Sequence, residues 1–158
     1  MAKDFVLPVS REEWESAGSK FIMMTPQEKA LKGAYRRIKV SNVDWDNPGT
    51  SLKYEFEIVE AGPDKGKMDK ISAGVSKAAA WKVKEINGSL GIPTEFNAQG
   101  QPGFNRSDAF GKEGVAFYAL IKGHKGGDPN AEVVEYPKVE TIYPSNFSVP
   151  NNKENPLL

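Results

Sequence analysis

The chain has 158 residues, of which 39% are hydrophobic, 27% charged and 10% aromatic, which is one domain's length with enough bulky apolar surface for one core and excludes wholesale disorder. Lysine plus arginine and aspartate plus glutamate each number 21, so the zero net charge offers a polyanion no overall attraction. Cysteine is absent, which excludes thiol catalysis and cysteine-ligated metals, and no stretch approaches the roughly 18 apolar residues of a membrane span. The start, Met1-Ala-Lys-Asp, has no secretory apolar run, so a cytoplasmic protein is expected.

Residues 1–32 read as a polar, flexible N-terminal arm with short helical turns, one of them opened by the capping-box pattern Ser10-Arg-Glu-Glu13. Alternation begins at Tyr35, with Ile38 and Val40 on one face and Tyr35, Arg37 and Lys39 on the other, and predicts a first strand to about Trp45. Asp46-Asn-Pro-Gly49 turns the chain into the clearest strand, where Leu52, Tyr54, Phe56 and Ile58 alternate with Lys53, Glu55 and Glu57. Gly62-Pro-Asp-Lys-Gly66 turns again into a weaker third strand from Lys67 to Ala73. The period then changes: Val75, Ala79, Val83, Ile86 and Leu90 form a helical stripe, with Ser76 as cap and Gly88 or Gly91 with Pro93 as stop. Residues 94–112 hold many breakers and no period, and read as a long surface loop. Val115, Phe117, Ala119 and Ile121 mark a fourth strand, Gly123 to Pro129 a turn, and Glu132 to Tyr143 a fifth strand. The expected organisation is an arm over 1–32, a mainly β domain over 33–144 and a flexible C-terminal tail over 145–158. Five strands with one amphipathic helix between the third and fourth is the element order of an oligonucleotide/oligosaccharide-binding (OB) barrel.

Catalytic patterns are thin. The lone His124 sits in a glycine-rich turn, and Gly62 to Lys67 is one residue short of a phosphate loop, with Met68 where a metal-binding hydroxyl belongs. The acid pairs Asp44/Asp46 and Glu55/Glu57 share strand faces, as surface carboxylates routinely do. No enzyme, cofactor or metal is expected. Binding has more material, since holding a single strand takes cations for phosphates and aromatic faces for bases. Strand parity puts Tyr35, Arg37, Lys39 and Trp45 on one face, with Lys53, Lys67, Lys70, Tyr118 and Lys122 as further DNA contacts, while Tyr54 and Phe56 fall in phase with the core.

A resemblance follows from Gly33-Ala-Tyr-Arg-Arg-Ile-Lys-Val40, Leu52-Lys-Tyr-Glu-Phe-Glu-Ile-Val-Glu60 with Gly66-Lys67, Ala79-Ala-Trp-Lys-Val-Lys-Glu-Ile86 with Leu90-Gly-Ile92, and Phe110-Gly-Lys112. Over about residues 33–144 the chain resembles the small phage-encoded proteins of the DUF669-like family, found among replication and recombination genes. The resemblance implies an OB-type barrel and non-sequence-specific coating of single-stranded DNA in the host cytoplasm. The apolar tip Pro156-Leu-Leu158 suits replication or recombination partners, and a homo-oligomer stays open. The alternative is a protein-interaction module, a host-factor inhibitor or replisome adaptor, that binds no nucleic acid.

Overall fold

Alternation of side chains builds most of the molecule. In the computed structural model, which describes residues 3–18 and 33–149, five strands carry the architecture: β2 (Gly33–Asn47), β3 (Ser51–Ile58), β4 (Met68–Gly74), β7 (Glu113–His124) and β8 (Val133–Pro144). They form an antiparallel sheet in the order β4-β3-β2-β7-β8. The other elements include β1 (Phe5–Val6), α1 (Arg11–Glu15), α2 (Ala80–Leu90), β5 (Glu95–Phe96), β6 (Pro102–Phe104) and α3 (Arg106–Ala109), with β1, β6 and β5 making a second, small antiparallel sheet. The protein is mainly β, and among the described residues no helix is long and apolar enough to cross a membrane.

β3 follows its period of two, with Leu52, Tyr54, Phe56 and Ile58 buried and Glu57 exposed between them. Helix α2 starts later than the sequence suggests, because its first amides bond to the Ser76 carbonyl (Ala80 N at 2.8 Å) and not to a side-chain cap. Gly91 ends it at φ 70°, a left-handed turn that glycine takes without a Cβ clash. Its inner stripe of Val83, Ile86 and Leu90 is buried, and Thr141 Oγ1 ties it to β8 by donating to Glu85 Oε1 at 2.6 Å.

Four expectations need correction. Residues 3–18 are no polar arm: Phe5, Leu7, Val9 and Trp14 are buried in the main core, and the Ser10–Glu13 capping box sets the turn that delivers Trp14. The rest of the expected arm, 19–32, lies outside the described residues. The expected surface loop 94–112 holds β5, β6 and α3, with Phe104 and Ala109 buried and Phe5 paired with Phe104. Strands of two or three residues are too short to show a period, so only their breakers were visible. In β7 the core side is Ala116 and Tyr118, while Val115 and Phe117 point to the other face of the sheet. Of the expected tail, Phe147 and Val149 pack on that other face against the cluster of Tyr35, Val115 and Phe117, and residues 150–158 lie outside the described residues.

No ladder joins the two sheet edges, β4 and β8. Pro137 lies on the β8 edge without an N–H to donate, and α2 packs against both strands.

Candidate nucleic-acid interface

A single extra residue rearranges the expected face. Val40 pairs with Phe56 but Asn42 pairs with Glu55, so Ser41 bulges out of β2 and the side-chain parity inverts below it. Above the bulge Ile38 and Val40 face the core; below it Val43 does, and Trp45 joins it, edge-on to Phe5 at 5.7 Å. Trp45 is therefore withdrawn from the expected binding face.

Tyr35 is on the expected side but fully buried there, with ring centroids 5.0 Å from Phe117 and 5.6 Å from Phe147. Burial pushes its hydroxyl pKa up, helped by Tyr143 and Glu140. Tyr118 is also buried, on the core side, so neither tyrosine can stack on a base as they stand. Exposed Arg37 donates Nη1 to the Ser145 carbonyl at 3.0 Å. Lys39 is exposed between two acids, opposite Glu57 on β3 and Glu113 on β7. Lys53 stands opposite Asp44 with its Nζ 3.7 Å from Glu55, and Glu55 faces Lys70. Lys67 is bound at 2.9 Å to buried Asp64, which also accepts from Arg36 at 3.3 Å. Lys122 is exposed on the β7–β8 hairpin, opposite Glu135. The outer face of β2 and β3 is thus electrically mixed, with cation against acid across each strand pair.

Cations do gather at the open seam. Asp69, Lys70 and Ile71 of β4, Lys82 of α2, and Tyr136 and Lys138 of β8 line a cleft of about 330 Å³. It shares Asp69 and Lys70 with a shallower groove toward Lys53 and Met68, so Lys53 and Lys70 are brought together while Lys67 and Lys122 are not. The Tyr136 ring, 42% exposed, lies over Gly123, where a Cβ would come within 2.8 Å of it, so glycine is what seats this aromatic. Burial lowers the pKa of Lys82 and repulsion from Lys138 adds to the effect, against the opposing charges of Glu140 and Glu85.

Asp69 faces inward: it precedes buried Ile71 and Ala73 at a period of two and pairs with buried Phe56. The buried Tyr118 hydroxyl lies beside it. Burial, then the Asp69 charge and a hydrogen bond to its carboxylate, push that hydroxyl's pKa up. Sequence reasoning missed Lys82, Lys138, Tyr136 and Asp69 because strands distant in sequence bring them together. Two signals were present: the lysine-rich run from Lys65 to Lys84, and Tyr136-Pro-Lys138 interrupting the last strand.

Phe110, from the last of the resemblance motifs, is 69% exposed at the end of α3. His124 is exposed at the end of β7, its Nδ1 2.9 Å from the Ala131 carbonyl oxygen. Among the described residues no group of three or more His, Asp or Glu is placed to hold a metal. Compared with known proteins, the chain matches no family model, no curated protein and no solved structure.

Proposed function

We propose that the protein is a non-enzymatic single-stranded DNA-binding module with an OB-type fold, and that the β4–β8 cleft is its binding site. The observation that carries this is the convergence of Lys70, Lys82 and Lys138 on one cleft beside a half-exposed tyrosine, the pairing of cation and aromatic face that strand binding uses. The fold supports it. Counting only the large sheet, the order third-second-first-fourth-fifth, with a helix between third and fourth, suits a barrel left open between its third and fifth strands. Such barrels bind along strands two and three and the loop between strands four and five, which here are β3, β4 and the β7–β8 hairpin. The resemblance to phage-encoded proteins supports a role in replication or recombination in a host cytoplasm as part of this reading.

The test is fluorescence anisotropy of a labelled oligothymidine at several salt concentrations. Binding should weaken as salt rises, and Lys82→Ala with Lys138→Ala should weaken it further and flatten the salt slope by about two phosphate contacts. No binding at low salt would sink the proposal. The mixed charges of the outer face favour one other reading, a protein-interaction module. A pull-down that survives nuclease treatment, with no oligonucleotide binding, would select it.

A further inference from the structure

With Tyr35 and Trp45 withdrawn, the outer face of the large sheet still has an exposed ring at its border. Phe110 is 69% exposed, more than any other large apolar side chain among the described residues. Its backbone is nevertheless fixed. Phe110 (φ −57°, ψ 129°) and Gly111 (φ 79°) are the central pair of a type II turn, closed by the Lys112 amide donating to the Ala109 carbonyl at 3.1 Å. The Gly111 amide donates to the Val40 carbonyl at 2.9 Å and the Val40 amide to the Lys112 carbonyl at 2.8 Å, which stitches the turn to β2, and Ala109 beside it is buried. That geometry requires glycine at 111, where φ is positive, but it makes no demand for a ring at 110.

Cations stand next to the turn. Lys39, exposed on the outer face of β2, has its Cε 3.9 Å from where a Cβ on Gly111 would lie, and exposed Arg37 shares that face two residues earlier. Across the sheet Lys39 pairs with Glu57 and Glu57 with Met68, which is 59% exposed in the groove that shares Asp69 and Lys70 with the cleft. From Met68 to the turn is three strand spacings, about 15 Å, which a single strand crosses within the roughly 4–16 nucleotides that one such fold covers. Resting on the reading of the cleft as a strand-binding site, we infer that Phe110 is a second contact for the same strand: a fixed platform on which one base stacks after the strand leaves the cleft past Met68, with Lys39 and Arg37 beside it for phosphates. Lys39 lies between Glu57 and Glu113, so charge alone holds a strand weakly here and the ring supplies most of the attraction. Every base has a flat face, so this contact carries no sequence preference. The rigid turn also spares the entropy of ordering the platform on binding.

The experiment is anisotropy of a labelled oligothymidine of about 12 nucleotides, inside the range one such fold covers, with full-length protein at several salt concentrations. Phe110→Ala should weaken binding about tenfold, as for the loss of one base stack, with an unchanged salt slope because stacking releases no counterions. Phe110→Trp should bind at least as tightly as wild type, whereas Phe110→Leu, apolar but not flat, should lose most of what alanine loses. Lys39→Ala should weaken binding and flatten the slope by about one phosphate contact. Urea midpoints of the Phe110 variants should match wild type, which separates a lost contact from a damaged fold. Full affinity in Phe110→Ala, or in Phe110→Leu, would overturn the stacking contact and leave the cleft as the site. A lowered urea midpoint accompanying the affinity loss would make Phe110 a structural residue and overturn it as well. Absence of binding by wild-type protein would overturn the cleft and the platform together.

Discussion

The two sides of the large sheet carry apolar clusters of different construction. On one side Phe56, Tyr54, Ile38 and their neighbours meet residues from both sheets and from α1 and α2. On the other, Tyr35, Val115 and Phe117 are covered by Ala119 and by Tyr143, Phe147 and Val149, the last two in the segment after β8. The first cluster is closed by the topology of the fold, so any residue in it is braced from several directions. The second is closed mainly by a short length of chain, with the Phe147 ring stacked 4.2 Å from Tyr143 and Ser145 held by Arg37.

That contrast can be broken by measurement. Phe56→Ala should cost about 3–5 kcal/mol, the range for a buried phenylalanine, whereas Phe147→Ala, at a half-buried position, should cost only about 1–2 kcal/mol. Urea midpoints at constant slope read both; equal losses would make the covering segment as integral as the core. A smaller effect sharpens the picture of the main core itself. Tyr54 donates its buried hydroxyl to Asn87 Oδ1 at 2.7 Å, and the Asn87 amide nitrogen has no partner among the described residues. Tyr54→Phe strands a second polar atom and should cost about 1–3 kcal/mol; a neutral result would mean that Asn87 finds another partner.

The smallest effect belongs to neither cluster. Asp64 is buried, which by itself would raise its pKa, but hydrogen bonds from Lys67 and Arg36, and then their charges, hold the carboxyl below its ordinary value. A carboxyl with a lowered folded pKa contributes stability that is present above about pH 4 and is lost as pH falls through the folded pKa. Stability against pH should therefore fall less steeply below about pH 4 in Asp64→Asn than in wild type. Matching acid limbs would show that the carboxylate is not linked to folding.

The central strands and α2 were legible because period and burial coincide in them: Leu52 to Ile58 reads as one half-buried strand, and Val83 to Leu90 as one helical stripe. Val115 to Tyr118 was misread although its signal was there. An unbroken apolar run in a strand means that both faces are covered, and every residue from Gly114 to Tyr118 is buried. Counting only odd positions as core made Tyr118 a surface aromatic and hid the covering role of Phe147. Of the candidate site, Lys53 and Lys70 were legible as cations on outward positions. The cleft was not, because β4, α2 and β8 meet only through long-range contacts that leave no local period.

The Ser41 bulge has a consequence for how this chain can vary in length. Drawing Ser41 into a regular ladder without shortening the strand would turn Val43 and Trp45 outward and move Asn42 and Asp44 toward the interior, whereas deleting that one residue would keep Asn42 opposite Glu55 and Val43 opposite Tyr54 and leave every facing unchanged. Loss of one residue at position 41 should therefore be tolerated as it is in a hairpin turn, while loss of one residue elsewhere in the paired part of the strand reverses the facing of everything on one side of it.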